Sequence, residues 1–111
     1  MGDTNYFSGI VKILESPKQR FVNKGTLLTT FRVEISQNRN NKILRVEIWG
    51  NLGKEVNKFY QVNDYILIEG YASLRQKNKL NLSIRNPKQL LITVLRIYPI
   101  LLNPNRTQIK S

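Results

Sequence analysis

Apolar and polar residues alternate along most of this chain, and such alternation predicts β-strands with one buried face. The clearest stretch is 43–49. Leu44, Val46 and Ile48 point to one side of the predicted strand, whereas Arg45 and Trp49 point to the other. We therefore expect the apolar set to enter a core and a cation and a large aromatic side chain to remain outside it.

Four further stretches show a strand pattern. They cover 6–14, 27–36, 65 to beyond 70, and 89–102. The last stretch is more apolar than a half-exposed strand requires. Either both of its faces are covered by the protein, or one face covers a partner subunit.

A short helix is predicted between the third and fourth strands. Leu52, Val56 and Phe59 follow one another at helical spacing, which places them on one face. Asn51 stands where its side chain can cap the first turn by accepting a hydrogen bond from a backbone N–H.

Turn residues separate these elements. Pro17 interrupts the first strand because proline cannot donate to a ladder. Gly25 and Asn63 mark tight turns. The polar segments 37–42 and 75–79 read as loops between antiparallel strands, although 80–84 alternates enough to form a β-ribbon.

Five strands with one helix between the third and fourth predict an all-β protein with the OB-fold, a five-stranded Greek-key barrel. The sequence lacks both the strand–helix alternation of a parallel sheet and an internal repeat. We expect a flexible N-terminus over 1–5, one OB-fold domain over 6–102 and a short polar tail over 103–111.

The charge balance points to a polyanionic partner. The 111 residues include 18 Lys and Arg against 7 Asp and Glu, which gives a net charge of +11. Such an excess favours nucleic acid first and an anionic membrane surface second. A basic surface that serves only solubility is the plainer alternative.

Catalysis and metal binding are poorly supported. The chain has no cysteine and no histidine, so disulfides and Cys/His metal sites are excluded, and the usual general base and thiolate nucleophile are missing. We expect no enzyme activity, no cofactor and no metal. We also expect no signal peptide and no membrane span. The Asn-, Ile- and Lys-rich composition fits an A/T-rich genome such as that of an organelle.

The succession of motifs resembles that of the bacterial-type single-stranded DNA-binding proteins. The strand and helix over 45–56 and the strand over 63–70 are similar to the family's Arg-Val-Val-x-(aromatic)-Gly strand, helix and Val-Tyr-(Ile/Val)-Glu-Gly strand. Upstream, Arg20, Phe21 and Gly25 resemble its Arg-Tyr…Gly turn. The likeness covers roughly residues 6–102. The chain also looks like the small plastid-encoded reading-frame members of that family, which implies a plastid location, with the cytoplasm or nucleoid as the alternative.

This resemblance implies an OB-fold that self-associates as a dimer or tetramer and binds single-stranded DNA without sequence preference, as an accessory to replication, repair or recombination. Two of the family's stacking tryptophans are replaced by Ile43 and Lys77, and a third falls near Asn38. The chain ends Gln-Ile-Lys-Ser, without the family's acidic tip, so partners recruited through such a tail are not expected.

Single-strand binding requires cations along the sugar-phosphate path and aromatic faces on which bases stack. The residues that satisfy this requirement, or that match the family's positions, are Trp49, Arg45, Arg75, Arg20, Phe21, Arg32, Tyr71, Lys77, Lys79, Arg39 and Lys42.

Two other binding functions stay open at this point. An OB-like subunit can dock on a protein through its apolar last strand, which the missing tryptophans favour and the charge opposes. An OB surface can also bind RNA, because the 2′-OH contact that separates the two polymers is not readable from sequence.

Overall fold

The computed structural model describes residues 5–37, 40–76 and 88–104 of the protein. These residues form six strands and one helix. In chain order they are β1 (Asn5–Ile13), β2 (Lys18–Val22), β3 (Thr26–Gln37), β4 (Asn40–Trp49), α1 (Asn51–Phe59), β5 (Tyr65–Gln76) and β6 (Lys88–Leu101). The prediction of a mostly β protein with one helix in this position is confirmed.

The predicted number of strands is wrong, because a sixth strand, β2, precedes the Gly25 turn. Parts of both predicted loops, 37–42 and 75–79, are strand instead. Strand β3 extends to Gln37, β4 begins at Asn40, and β5 continues to Gln76. The predicted ribbon over 80–84 lies outside the described residues.

The strands form one sheet in the order β1-β5-β6-β4-β3-β2, and β1 pairs a second time with β3. Lys12 lies opposite Glu34 and Ile13 opposite Val33 in that second ladder. The ladders therefore lead from β1 through β5, β6, β4 and β3 back to β1, with β2 added along the first half of β3. Within the described strands, β4 and β6 run parallel and the other pairs are antiparallel.

The core lies on the inner face of this sheet. It contains one alternating set from each long strand, and α1 adds Val56. Leu44, Val46 and Ile48 are all buried, which confirms the alternation predicted for β4. The other buried core residues are Val11, Ile13, Phe31, Val33, Ile66, Ile68, Ile92 and Val94.

Helix α1 starts one residue earlier than the cap prediction required. Gly50 is its N-cap residue, with φ 72°, and no side chain caps the helix. Asn51 is instead the first helical residue, so its predicted capping role is wrong. The predicted apolar face is wrong at one position, since Val56 is buried but Phe59, the last helical residue, is 57% exposed.

A buried carboxylate ties the turn before β5 to the end of β6. Asp64 accepts hydrogen bonds from the backbone N–H of Gln61 at 2.9 Å and of Asn103 at 2.7 Å. The Asn103 side chain donates to the carbonyl oxygen of Val62 at 3.3 Å. Because a buried carboxylate is stable only when its oxygens are bonded, this arrangement fixes where β6 ends.

Strand β6 divides into two halves. Leu91, Ile92 and Val94 are buried in the first half, whereas Tyr98 and Leu101 are exposed in the second. Both faces of the strand are thus covered by the protein only along its first half.

Within the described ranges, the helix that the chain forms is too short and too polar to cross a membrane.

Candidate nucleic-acid interface

Cross-strand partners place the predicted arginines side by side. Residues directly opposite each other in a ladder share a face, and Arg32 of β3 lies opposite Arg45 of β4. Both point away from the core, because their neighbours Phe31, Val33 and Val46 are buried in it. Two like charges in this position disfavour the folded state. They also concentrate positive potential on what we call the outer face of the sheet.

A groove of about 820 Å³ runs over this pair of arginines. Its cations are Lys18, Arg32, Lys42 and Arg45, and Glu15 is its carboxylate. We refer to it as the basic groove.

Apolar residues also line the basic groove, namely Ile43, Leu44, Leu74 and Leu90. Ile43 and Leu74 are exposed although both are apolar. Cations beside uncovered apolar surface suit a ligand that carries both phosphates and flat bases.

Trp49 stands further along the same face of β4. It lies opposite Leu28, which in turn lies opposite Arg20 on β2. Leu28 is almost fully buried, whereas Trp49 is 43% exposed. The indole therefore keeps a large part of its surface available, on the same face as Arg20 and Arg45.

A tyrosine pair extends the aromatic surface toward β1. The rings of Tyr6 and Tyr71 meet edge to face, with centroids 6.1 Å apart and planes at 76°. Both tyrosines are exposed. The ladders connect Tyr71 to Thr93 on β6 and Thr93 to Glu47 on β4, so the pair shares the outer face with Trp49 and Arg45.

The structure does not bring every predicted residue to this face. Lys42 lies opposite Ile35, out of phase with Arg45, although it borders the basic groove. Phe21 lies opposite Leu27, one position out of phase with Arg20, so the two members of the predicted Arg-Phe pair point to opposite sides. Phe21 is 69% exposed there. Arg75 occupies β5 opposite Gln89, a residue of the basic groove. Three other predicted residues, Arg39, Lys77 and Lys79, lie outside the described residues, as does Asn38.

Three side chains of this face were missed by the sequence reasoning. Lys18 follows Pro17 in a segment interpreted as a strand break, and Glu15 precedes it. Lys18 could not be assigned to a face without knowing that β2 is a strand, and Glu15 could not because its partner Arg32 lies 17 positions away. Tyr6 begins the predicted strand over 6–14, and the sequence pattern does not identify which side chains of that strand face outward.

The carboxylate of Glu15 is bonded within the groove to Arg32. Its Oε2 accepts the backbone N–H of Arg32 at 3.0 Å, and its Oε1 accepts the Nε–H at 3.2 Å. The Nη2 atom of Arg32 also lies 3.2 Å from Oε1. Of the two facing arginines, Arg32 is therefore held by an acidic partner.

A polar network fixes β2, and with it Lys18 and Arg20, against the rest of the protein. The Gln19 amide donates to the Thr29 hydroxyl at 3.0 Å and to the carbonyl oxygen of Gly53 at 3.2 Å. A Cβ atom on Gly53 would overlap the Thr29 hydroxyl, so the helix and β3 approach each other as closely as glycine allows.

Across residues 5–37, 40–76 and 88–104, acidic side chains do not gather in a group of three that could hold a metal ion.

One curated relative matches most of the chain. It is a protein of Trieres chinensis named "Putative single-stranded DNA-binding protein ycf41", which is 38% identical over 103 residues. The match covers 89% of this chain and 91% of the relative. No protein-family model matches the chain.

Solved structures share the fold at low sequence identity. The SSB domain of a Synechococcus sp. protein is 21% identical with a TM-score of 0.69, and the match covers 88% of this chain and 98% of that one. The second single-stranded DNA-binding protein of Mycobacterium smegmatis is 20% identical with a TM-score of 0.68, over 87% and 89%. The small single-stranded DNA-binding protein of Streptomyces coelicolor is 14% identical with a TM-score of 0.73, over 90% and 95%.

Proposed function

Since this chain belongs to the family of single-stranded DNA-binding proteins with the OB-fold, we propose that it binds single-stranded DNA without sequence preference through the outer face. The resemblance stated from the sequence is confirmed to that extent. The observation that carries the proposal is that Arg20 and Arg45 share one sheet face with an exposed tryptophan, Trp49.

The cations and the aromatic rings of this surface suit different parts of the ligand. Arg45 and Lys42 in the groove, together with Arg20 beside Trp49, are placed to neutralise phosphates. Each neutralised phosphate releases counterions, which gives affinity without sequence information. Trp49 and Tyr71 offer aromatic faces, and stacking contributes ~1–3 kcal/mol per base whatever the base.

The remaining predicted residues are proposed as secondary contacts. Arg75, Lys77, Lys79 and Arg39 are included because their positive charges suit phosphate, and the last three lie outside the described residues. Phe21 contacts DNA only if the strand passes around the edge of the sheet at β2.

The sheet pairings support a more specific fold assignment. Because β1 pairs with both β5 and β3, we assign the five strands other than β2 to a closed Greek-key barrel that forms one domain over 6–102.

The biological setting is also part of the proposal. We assign the protein to DNA replication, repair or recombination as a non-enzymatic accessory in a plastid, which its Asn-, Ile- and Lys-rich composition supports. It acts as a homo-oligomer, because β6 exposes Tyr98, Ile100 and Leu101 next to one another.

A fluorescence titration tests the binding function. Trp49 is the one tryptophan of the chain, so any change in indole emission has a single source. We expect oligo-dT to quench the emission strongly and duplex DNA to quench it weakly. The affinity should fall steeply between two salt concentrations.

The competing outcomes are separated by the same titration. Stronger quenching by oligo-rU than by oligo-dT would make RNA the ligand. No quenching and no binding to any strand at low salt would overturn the proposal and leave a basic OB-fold subunit whose partner is a protein.

A further inference from the structure

Glu15 is the one carboxylate in the described walls of the basic groove, and it is aimed at Arg32. Three contacts of 3.0–3.2 Å join it to the backbone N–H, the Nε and the Nη2 of that arginine. Only 23% of the Glu15 side chain is exposed, so solvent screens this ion pair less than an open surface pair.

The backbone contact makes Glu15 a persistent partner. The loop between β1 and β2 is itself anchored to β3, because the backbone N–H of Leu14 donates to the carbonyl oxygen of Arg32 at 3.0 Å. The carboxylate therefore stays next to the guanidinium, at an effective concentration that a phosphate arriving from solution has to match.

We propose that Glu15 competes with nucleic-acid phosphate for Arg32, so that Arg32 is withheld from the phosphate path and the affinity for single strands is held below what the groove's four cations allow. This inference rests on the proposed function. It gives Glu15 the role of lowering the affinity for single strands. It also gives Arg32 and Arg45 different roles, although the two lie side by side.

Glu15 also makes the free groove stable. Arg32 and Arg45 repel each other as direct cross-strand neighbours, and the Glu15 charge offsets that repulsion when no nucleic acid is bound. The same charge then opposes an incoming phosphate. Glu15 thus lowers the affinity of the groove for nucleic acid while it stabilises the fold against the repulsion between the two facing arginines.

The first test compares Glu15→Gln with the unmodified protein in oligo-dT titrations over a series of salt concentrations. Glutamine keeps the size of the side chain and an acceptor for the Arg32 backbone but removes the charge. We expect affinity at low salt to rise about two- to fivefold, because a weakly screened ion pair is released. The slope of log K against log salt should steepen by about 0.7, the value for one added phosphate contact on a single strand.

Glu69→Gln is the matched control. Glu69 pairs with Arg96 at 3.5 Å, and its side chain is likewise 23% exposed, but the pair lies across β5 and β6 outside the groove. Glu69→Gln changes the net charge by the same amount as Glu15→Gln. An equal gain in both variants would show a general effect of charge and would overturn the role of Glu15.

The second test replaces Arg32 by Gln in both backgrounds. With Glu15 present, Arg32→Gln should leave the salt slope unchanged. With Glu15→Gln present, the same substitution should remove the gain in affinity and return the slope to its original value.

The opposite results would overturn the inference. If Arg32→Gln alone weakens binding and Glu15→Gln weakens it too, then Glu15 positions Arg32 for phosphate and does not compete with it. If the unmodified protein binds no single strand at all, the proposed function itself has failed, whereas normal binding with an inert Glu15→Gln variant defeats only this inference.

Discussion

Trp49 is the residue at which the strand, the helix and the proposed ligand meet. It ends β4, and the next residue, Gly50, has a positive φ that only glycine adopts without strain. The chain therefore turns directly into α1, and the indole stays on the outer face above the buried Leu28.

Replacing Trp49 by Ala should weaken binding to single strands and leave the fold intact. One stacked base should be lost, which corresponds to ~1–3 kcal/mol of binding free energy, or about a 5- to 150-fold rise in Kd. Binding is measured by the anisotropy of a labelled oligo-dT, since the variant has no tryptophan emission.

Phe59→Ala is the control for that experiment. Phe59 is another exposed aromatic residue, at the end of α1 and off the outer face. Its loss should change Kd by less than twofold. If Trp49→Ala has no larger effect than Phe59→Ala, or if its thermal unfolding shows a collapsed fold, stacking at Trp49 is refuted.

Tyr60 should make the protein sensitive to alkali. Burial raises the pKa of Tyr60 above 10.0, and the negative charges of Asp64 and Glu55 raise it further. The folded state then holds the phenolic proton more tightly than the unfolded state does. Its contribution to stability is complete below pH 10 and is lost as the pH rises above that value.

The measurement is the free energy of unfolding of the wild-type protein and of Tyr60→Phe from pH 8 to pH 11. The difference between them should be constant up to about pH 10 and should then change in favour of Tyr60→Phe, which has no proton to lose. A difference that stays constant throughout would contradict the pKa assignment.

The alternation of apolar and polar residues predicts well to which side of a strand a side chain points. It predicts less well whether that side chain is buried. It placed Arg45 and Trp49 outward and Val46 inward, as the structure has them. It could not show that Leu28 and Leu91 are buried although they share the outer face, because their covering comes from neighbouring strands that are distant in sequence. Glu15 was missed for the same reason, since its partner lies 17 positions away.

At the scale of elements, β2 and the β5–β6 pair decide the shape of the interface. Strand β2 escaped prediction because its residues 18–21 are all exposed, so no apolar alternation marks it. It is an edge strand, and its pairing with β3 places Lys18 and Arg20. The helix was predicted because its apolar spacing is local, whereas its start at Asn51 depends on the backbone conformation of Gly50.

Gly70 is the tightest point between β5 and β6. The ladder register shifts between Glu69 and Gly70, and the backbones come so close there that a Cβ atom would overlap the carbonyl oxygen of Thr93. Gly70→Ala should therefore reduce the free energy of unfolding by about 2–3 kcal/mol, because backbone atoms would have to move.

Urea unfolding checks this expectation. Ser73→Ala, at an exposed position of the same strand, should stay within about 0.5 kcal/mol of wild type. Equal stability of the two variants would mean that the β5–β6 ladder can shift without cost.

At the scale of the whole molecule, the net charge and the exposed apolar surface support two different kinds of binding. The net charge of +11 supports binding to a polyanion, while the exposed second half of β6 supports self-association. The charge follows directly from the sequence, whereas the excess of apolar residues over 89–102 predicted either two covered faces or one face that covers a partner subunit. Which part of that segment stays uncovered depended on the pairing of β6 with β4 and β5.

Leu101→Glu should reduce the mass of the assembly in solution. Leu101 is 61% exposed and lies opposite the exposed Tyr65, so a charge there would be buried between protomers without a partner. Light scattering coupled to gel filtration measures the mass. Phe59→Glu adds the same charge at an exposed site on α1 and should leave the mass unchanged; if Leu101→Glu also leaves it unchanged, self-association uses another surface.

The place of β6 in the sheet has a consequence for how the protein is made. This strand comes last in chain order among the described strands, yet it lies between β5 and β4. While the ribosome is still synthesising the chain, the facing edges of β4 and β5 have no strand to pair with, and unpaired edges invite aggregation. Folding is therefore completed only after β6 has left the exit tunnel. The nascent chain should need protection by chaperones until that moment.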